Sequence, residues 1–341
     1  MIKSCPPESR SGSREANVFC GIDVSAATLD VAVQPNQHRE FPNTSAGHRQ
    51  LIVWLRQLGF ARVSLEATGL YSLDLALALD AAEGIECAVL NPKAVHNFAK
   101  GGQRRSKTDK ADARTLAEYG RCMKFVPWRR PSQQALELRA LARYIESLTV
   151  ERVQNSNRLH AAKATVSTPR SVIQDLQGGL KAMDKRIRAL RLKAVALIQA
   201  NELLSRQFQL LVAMPGIAEV SALHLLAELA SLPDGLPVRQ WVAHSGLDPA
   251  HHDSGSSIHR PSRISRAGSK HLRRALYMPA LVASRRDPHL KAFYQELLSR
   301  HKAKLQALIA VARKMLHAIF GIFKHQTPYN GAILFPHRIL T

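Results

Sequence analysis

Short apolar runs separated by turn residues fill the first third of the chain. VFCGIDV ends at Val24, just past Asp23, and LDVAVQ follows a turn at Ser25–Ala27, so both read as strands, and EFPN extends a third. AGHRQLIVWLRQLG has apolar positions at helical spacing and stops at Gly59. VSLEA is a strand ending near Glu66, LYSLDLALALDAAEG a helix, and IECAVLNP a strand closed by Pro92, with a further helix after it. Strands alternating with helices predict an α/β domain over residues 17–125 with a largely parallel sheet. Residues 1–16, rich in Ser, Pro and Arg, read as a disordered tail.

PWRRPSQQ is a proline-containing linker, and beyond it the period lengthens. Leu138, Leu141, Ile145, Leu148, Arg152, Asn155, Leu159 and Ala162 advance in steps of three and four, as a heptad seam does. Pro169 breaks it, and a second seam runs from Leu176 through Ile187 to Leu197. Two such helices predict either an antiparallel hairpin within one chain or a coiled coil joining two copies, and the pattern serves both. This helical region, 126–208, leads into a mostly helical one, 209–330, with a tail at 331–341. In QLLVAMPGIAEVSALHLLAEL a Pro-Gly turn separates two apolar helical stretches. That is the form of a helix–hairpin–helix, whose backbone amides hold phosphate, or simply a turn. The small, polar, basic segment 251–271 is predicted as a loop, followed by two amphipathic helices, HLRRALYMPALVAS and Leu290–Phe323.

Charge changes the picture most. Lys and Arg number 48 against 26 Asp and Glu, a net charge of +22. Such an excess points to a polyanion, because each cation that neutralises a phosphate releases a counterion. Cys5, Cys20, Cys87 and Cys122 are scattered with no CxxC pair, which suggests neither a zinc site nor a disulfide framework but reduced thiols. The amino terminus lacks a secretory pattern, and the longest apolar runs read as too short to cross a bilayer. A cytoplasmic protein with no membrane partner is the expectation.

Four carboxylates stand out. Asp23 and Glu66 lie at or near the ends of predicted strands, and Asp109 and Asp112 sit three apart at a helix start in KTDKADARTLAEYG. Each alone reads as a turn former or a helix cap. Together, converging from strand tips and one helix face, they would repel one another unless divalent cations lay between them. An all-oxygen set suits Mg²⁺, its shell completed by phosphate oxygens of a substrate, and a two-ion site suits in-line phosphoryl displacement. Arg104, Arg105 and Lys107 border these acids and suit an approaching phosphate backbone. Ser254, in HHDSGSSIHR, reads locally as part of a flexible linker, and a nucleophilic serine would need activation. Arg260, Arg263, Arg266, Lys270, Arg273 and Arg274 follow it as a phosphate-gripping series.

FCGIDVSAATLDVAV, SLEATGLY, VLNPKAVHNFAK and SKTDKADARTLAEY together resemble the amino-terminal domain of the DEDD transposases. These form the insertion-sequence one-hundred-ten family, related to the pilin-gene invertases. AMPGIAEVSA and HSGLDPAHHDSGSSIHRPSRISRAGSKHLRRALYMPALVA resemble that family's carboxy-terminal transposase domain, in the same order. The resemblance implies a ribonuclease-H-like first domain similar to the Holliday-junction resolvase RuvC. It implies Asp23, Glu66, Asp109 and Asp112 as Mg²⁺ ligands. It also implies Ser254 as a nucleophile forming a covalent link to DNA, in a site shared between protomers. The implied partners are donor and target DNA and a structured bridge RNA, and the implied assembly is a tetramer built from homodimers. A junction resolvase using metal-activated water is the alternative enzyme, and Ser254 separates the two because a hydrolase needs no protein nucleophile. A nucleic-acid binder with a degenerate catalytic domain is the third reading, opposed by the presence of all four acids.

Overall fold

The computed structural model describes residues 18–59, 61–69, 71–101, 108–254 and 258–335, with the side chains of 251–262 outside the description. The expected tail at 1–16 and the cations Arg104, Arg105 and Lys107 lie outside these residues. The chain forms two compact units that divide between Arg130 and Pro131.

The first unit runs β1 (Val18–Val24), β2 (Thr28–Val33), β3 (Gln37–Pro42), α1 (Ser45–Gln57), β4 (Ala61–Glu66), α2 (Leu73–Asp80), β5 (Ile85–Leu90), α3 (Pro92–Gly101) and α4 (Asp109–Cys122). The sheet order is β3-β2-β1-β4-β5. β1 pairs parallel with β4, and β4 with β5, but β1–β2 and β2–β3 are antiparallel. The sheet is therefore mixed rather than largely parallel. The reason is connection length: a parallel crossover takes about a dozen residues or more, and the turns flanking β2 are far shorter.

Alternation sends successive side chains to opposite faces. On one face Ile22, Val31, Val63 and Leu65 are buried against Leu51 and Leu55 of α1 and Leu75 and Leu79 of α2. On the other the residues are small, and α4 lies close to the sheet. A Cβ on Gly21 would stand 2.0 Å from the Ala113 carbonyl oxygen and 2.2 Å from the Ala117 nitrogen, and one on Gly120 would stand 2.4 Å from the Ser64 hydroxyl oxygen. Backbone lies against backbone at Gly21, so no rotamer change relieves the clash. Gly21→Ala should cost about 2–3 kcal/mol or more in urea unfolding, by forced separation of α4 from β1. A wild-type midpoint would show that α4 does not dock there. Cys20 and Cys87 are free and buried, but Cys122 is disulfide-bonded, which departs from the expectation of reduced thiols throughout.

The second unit begins with two long helices, α5 (Gln133–Ala164) and α6 (Arg170–Gln199). There follow α7 (Glu202–Val212), α8 (Glu219–Leu229), α9 (Val238–Ser245), β6 (Pro249–Ser254), β7 (Ile258–Ile264), α10 (Lys270–Arg286), α11 (Pro288–Ser299), α12 (Lys304–His325) and α13 (Gly331–Leu334). α5 and α6 pack on each other within one chain. The seam residues Leu138, Ile145 and Leu148 are buried, as are Ile187 and Ala194. The polar interruption at Arg152 is met across the hairpin by Asp184, Nε to Oδ1 2.5 Å, and Asn155 lies 3.5 Å from the Met183 sulfur. The intrachain hairpin thus accounts for the seams.

Two expectations change here. Segment 251–271 is not all loop: β6 and β7 pair antiparallel, with a register shift between Ala250 and His252. Their sequences, PAHHDS and IHRPSRI, carry no apolar alternation that would announce strands. The single helix expected from Leu290 to Phe323 is two, α11 and α12. His301 adopts φ +57°, and its amide and that of Lys302 donate to the Leu298 and Leu297 carbonyls at 3.0 and 3.1 Å. That is a Schellman stop with histidine where glycine is usual. Helix α12 is also long and apolar enough to cross a membrane by length and composition. That corrects the expectation that no segment is. Its Leu308, Val311, Met315, Leu316 and Ile319 are buried in the core of this unit, as a central core helix requires.

Two acids are buried in this unit, Glu228 and Asp287. Glu228 of α8 is 4% exposed and receives two bonds from Arg143, Nε–Oε1 2.7 Å and Nη2–Oε2 3.1 Å, and a third from the Ser269 hydroxyl at 2.7 Å. Burial alone would raise its pKa; Arg143 and Ser269 more than offset this and hold it below the usual carboxylate range. A lowered pKa means that the pair's stabilisation is present above the unfolded-state value and fades as pH falls through the folded one. Arg143→Met should cost about 3–5 kcal/mol at pH 7, the penalty for stranding a buried charge. The deficit should shrink in acid, where Glu228 is neutral. An unchanged urea midpoint at pH 7 would discard this role.

Candidate active site

Strands β1 and β4 run parallel with Ile22 beside Leu65, so Asp23 and Glu66 are neighbours at their carboxyl ends. Both lie on the face that α4 covers, as do Gly21 and Ser64. Helix α4 starts at the same end and brings Asp109 and Asp112 in its first turn. A helix-start aspartate is often the cap, but here Thr108 caps, its hydroxyl accepting from the Ala111 amide at 3.2 Å. The two aspartates are thus not consumed by capping, and the positive end of the helix favours their charge.

Asp23, Glu66 and Asp112 are half-buried and Asp109 is exposed. The pKa of Asp23 is raised from 3.8 to about 6, first by burial and then by the charges of Asp112, Asp109, Glu66 and Asp30. No ion pair compensates Asp23, Asp109 or Asp112 among the described residues. The acids have not closed to ligand spacing: among the described residues no three His, Cys, Asp or Glu side chains are near enough to hold an ion. An all-carboxylate set whose repulsion is felt most at Asp23 has the donor chemistry that suits Mg²⁺, with water and phosphate oxygens completing its shell.

Two supporting features were not visible in the sequence. Asp30 stands opposite Asp23 in the β1–β2 register, and its carboxylate bonds the His38 ring at 3.0 Å. Asn43 donates to the Ser25 and Tyr71 carbonyls at 2.8 and 3.2 Å and bonds His48 at 2.8 Å, tying together the loops at this end of the sheet. Pairing across strands and loops carries no local signature.

In the second unit Ser254 ends β6, its backbone paired with Ile258. The residues after it, 255–257, and the side chains of Ser254 and Arg260 lie outside the described residues. Arg263 is exposed on β7, and Arg266 follows with φ +53°. Lys270 opens α10. Two members of the basic series are engaged in the fold: Arg273 donates to the Ser245 and Gly268 carbonyls at 2.8 and 3.2 Å, and Arg274 pairs with Glu146 at 3.1 Å. The structure places the acids in one unit and the serine strand in the other.

Comparison with known proteins matches both units. Residues 20–164 fit a family model described as a transposase, and 208–295 one described as a transposase of the IS116/IS110/IS902 family. The chain is 29% identical over 326 residues to the pilin gene-inverting protein of Moraxella bovis, covering 93% of this chain and 99% of that one. It is 24% identical over 395 residues to the IS116 44.8 kDa protein of Streptomyces clavuligerus, covering 94% and 98%. It is 28% identical over 273 residues to the IS1328 transposase of Yersinia enterocolitica, covering 72% and 79%. With transposase models matched in order at 20–164 and 208–295, and the Moraxella bovis relative aligned along 93% of the chain, the chain belongs to the IS110 family of insertion-sequence transposases.

Proposed function

We propose that this transposase cuts and rejoins DNA by phosphoryl transfer at the Asp23, Glu66, Asp109 and Asp112 cluster, with Ser254 as the nucleophile. One observation carries the metal half: parallel β1 and β4 set Asp23 beside Glu66, and Gly21 lets α4 dock on the same face of the sheet, with Asp109 and Asp112 in its first turn. These residues would hold Mg²⁺, which supplies Lewis-acid chemistry to a phosphodiester when bound. The chain's own contribution is to hold acids on rigid strand ends and a capped helix start, so that their geometry outlasts their repulsion.

The strand chemistry balances without a cofactor. The Ser254 oxygen bonds to phosphorus, one P–O ester bond of the DNA breaks, and the serine proton ends on the departing hydroxyl. Reversal by a second DNA hydroxyl regenerates the serine. Family resemblance supports a site shared between protomers, the acids of one facing the serine of another, and a tetramer built from paired dimers. We also propose a bridge RNA as guide, its backbone held by the basic surface while base pairing selects sequence. That reading rests on family resemblance and on the net charge of +22. Sequencing RNA that co-purifies with the protein, then adding it back with donor and target DNA, tests it. Recombination by the RNA-free protein would discard the guide.

A further inference from the structure

In the first unit, helix α1 and the edge strand β3 leave an open groove of about 660 Å³ between them. Alternation along β3 puts Arg39 and Phe41 on the face that α1 covers. Glu40 also borders the groove, but the same alternation turns its side chain to the other face, opposite Asp30 in the register. Phe41 is buried and Trp54 of α1 half-buried, their rings 5.6 Å apart, and Val53 beside them is 55% exposed. The Arg39 guanidinium lies 5.3 Å from the centre of the Phe41 ring and 5.9 Å from that of Trp54. Arg49 stands on the α1 wall of the groove. Both arginines are exposed, and among the described residues neither forms an ion pair with a carboxylate. An aromatic floor bordered by cations, with no acid to match them, is thus open to solvent.

That combination suits an unpaired strand. Bases of any identity stack on aromatic rings, while a positive groove tracks the phosphates. A duplex keeps its bases stacked on one another, so only a strand out of the duplex can use the ring. The α1 wall from Ala46 to Gln57 runs for about 16 Å at the helical rise, longer than one nucleotide. The groove also lies near the acids. Phe41 pairs with Leu29, and Leu29 with Val24, the neighbour of Asp23, which puts its floor two strand spacings, about 10 Å, from the end of β1. We propose that this groove takes an unpaired DNA strand, with a base on Trp54 and phosphates on Arg39 and Arg49. The inference rests on the chain's acting on DNA, and it needs neither the metal cluster nor Ser254.

Fluorescence anisotropy of the full-length protein in EDTA, with oligodeoxythymidylate, a DNA duplex and oligouridylate as probes, tests it apart from catalysis. Trp54→Leu should weaken binding to the single DNA strand about fivefold or more, the worth of one base on an aromatic ring. Arg49→Gln should reduce the slope of log affinity against log salt by about 0.7, one phosphate contact to a single strand. Duplex binding should be unchanged in both. Val53 is exposed, so Val53→Glu should leave the thermal midpoint in place while repulsion weakens single-strand binding about tenfold or more. That variant keeps the test decisive if Trp54→Leu lowers the midpoint. Wild-type affinity for the single strand in Val53→Glu, or an unchanged slope in Arg49→Gln, would overturn the proposal. So would equal losses on single strand and duplex. Losses confined to oligouridylate would make RNA the occupant, and a Val53→Glu protein altered only in self-association by light scattering would make it a second copy. Either result overturns an unpaired DNA strand.

Discussion

Asp23→Asn should abolish recombination while making the metal-free protein more stable at pH 8. Loss of a group that merely orients a metal ligand costs about 10–100-fold, so loss of a ligand should exceed about a hundredfold. The stability effect has the opposite sign. The pKa of Asp23 is raised to about 6 in the folded chain, so ionisation is easier in the unfolded chain, where 3.8 is the ordinary value. Between these values the folded state binds more protons, and stability falls as pH rises. The penalty is absent below about pH 4, saturates above about pH 6, and amounts to at most about 3 kcal/mol. Asparagine keeps the shape and removes the charge. Urea midpoints should therefore rise at pH 8 and stay unchanged at pH 4. Added Mg²⁺ should stabilise the wild type at pH 8 more than the variant. An Asp23→Asn protein that is less stable at pH 8 would make Asp23 a structural residue, and one that recombines normally would remove it from the active site.

Much of this site was legible because its parts are local. Asp23 and Glu66 lie at strand ends marked by apolar runs, and Asp109 and Asp112 share a helix start with their cap, Thr108. The close approach of α4 to the sheet was not legible. Gly21 looks like any strand glycine until α4 is seen against it, because the contact spans most of the first unit. Glu228 shows the same limit. In sequence it interrupts an apolar run; in the fold it is the buried partner of Arg143, 85 positions away. The β6–β7 hairpin was missed for a different reason. Its polar strands gave no period, and what marked it was a Gly-containing interval between two ends, Ser254 and Ile258, that now pair. The break at His301 defeated pattern reading because a left-handed histidine replaced the expected glycine.

Ser254→Ala should eliminate both strand cleavage and any covalent protein–DNA adduct, lowering cleavage by about three orders of magnitude or more, as loss of a nucleophile does elsewhere. Capture on serine conserves the energy of the broken phosphodiester, so strands can be resealed without a high-energy cofactor. A serine hydroxyl is a poor nucleophile at neutral pH and needs activation. The strand pairing fixes the backbone at Ser254, while Gly255 next to it lacks a Cβ that would hold DNA away. Ser256 and Ser257 are chemically equal rivals a few ångströms of chain away, so the test must locate the bond rather than only measure its loss. Trapping the reaction, digesting the protein and reading the modified peptide by mass spectrometry does this. An adduct on Ser254 that disappears in both Ser254→Ala and Asp23→Asn would join the two halves of the site in one reaction. An adduct on Ser256 or Ser257 would move the nucleophile. Full cleavage by Ser254→Ala with no adduct would replace it with water.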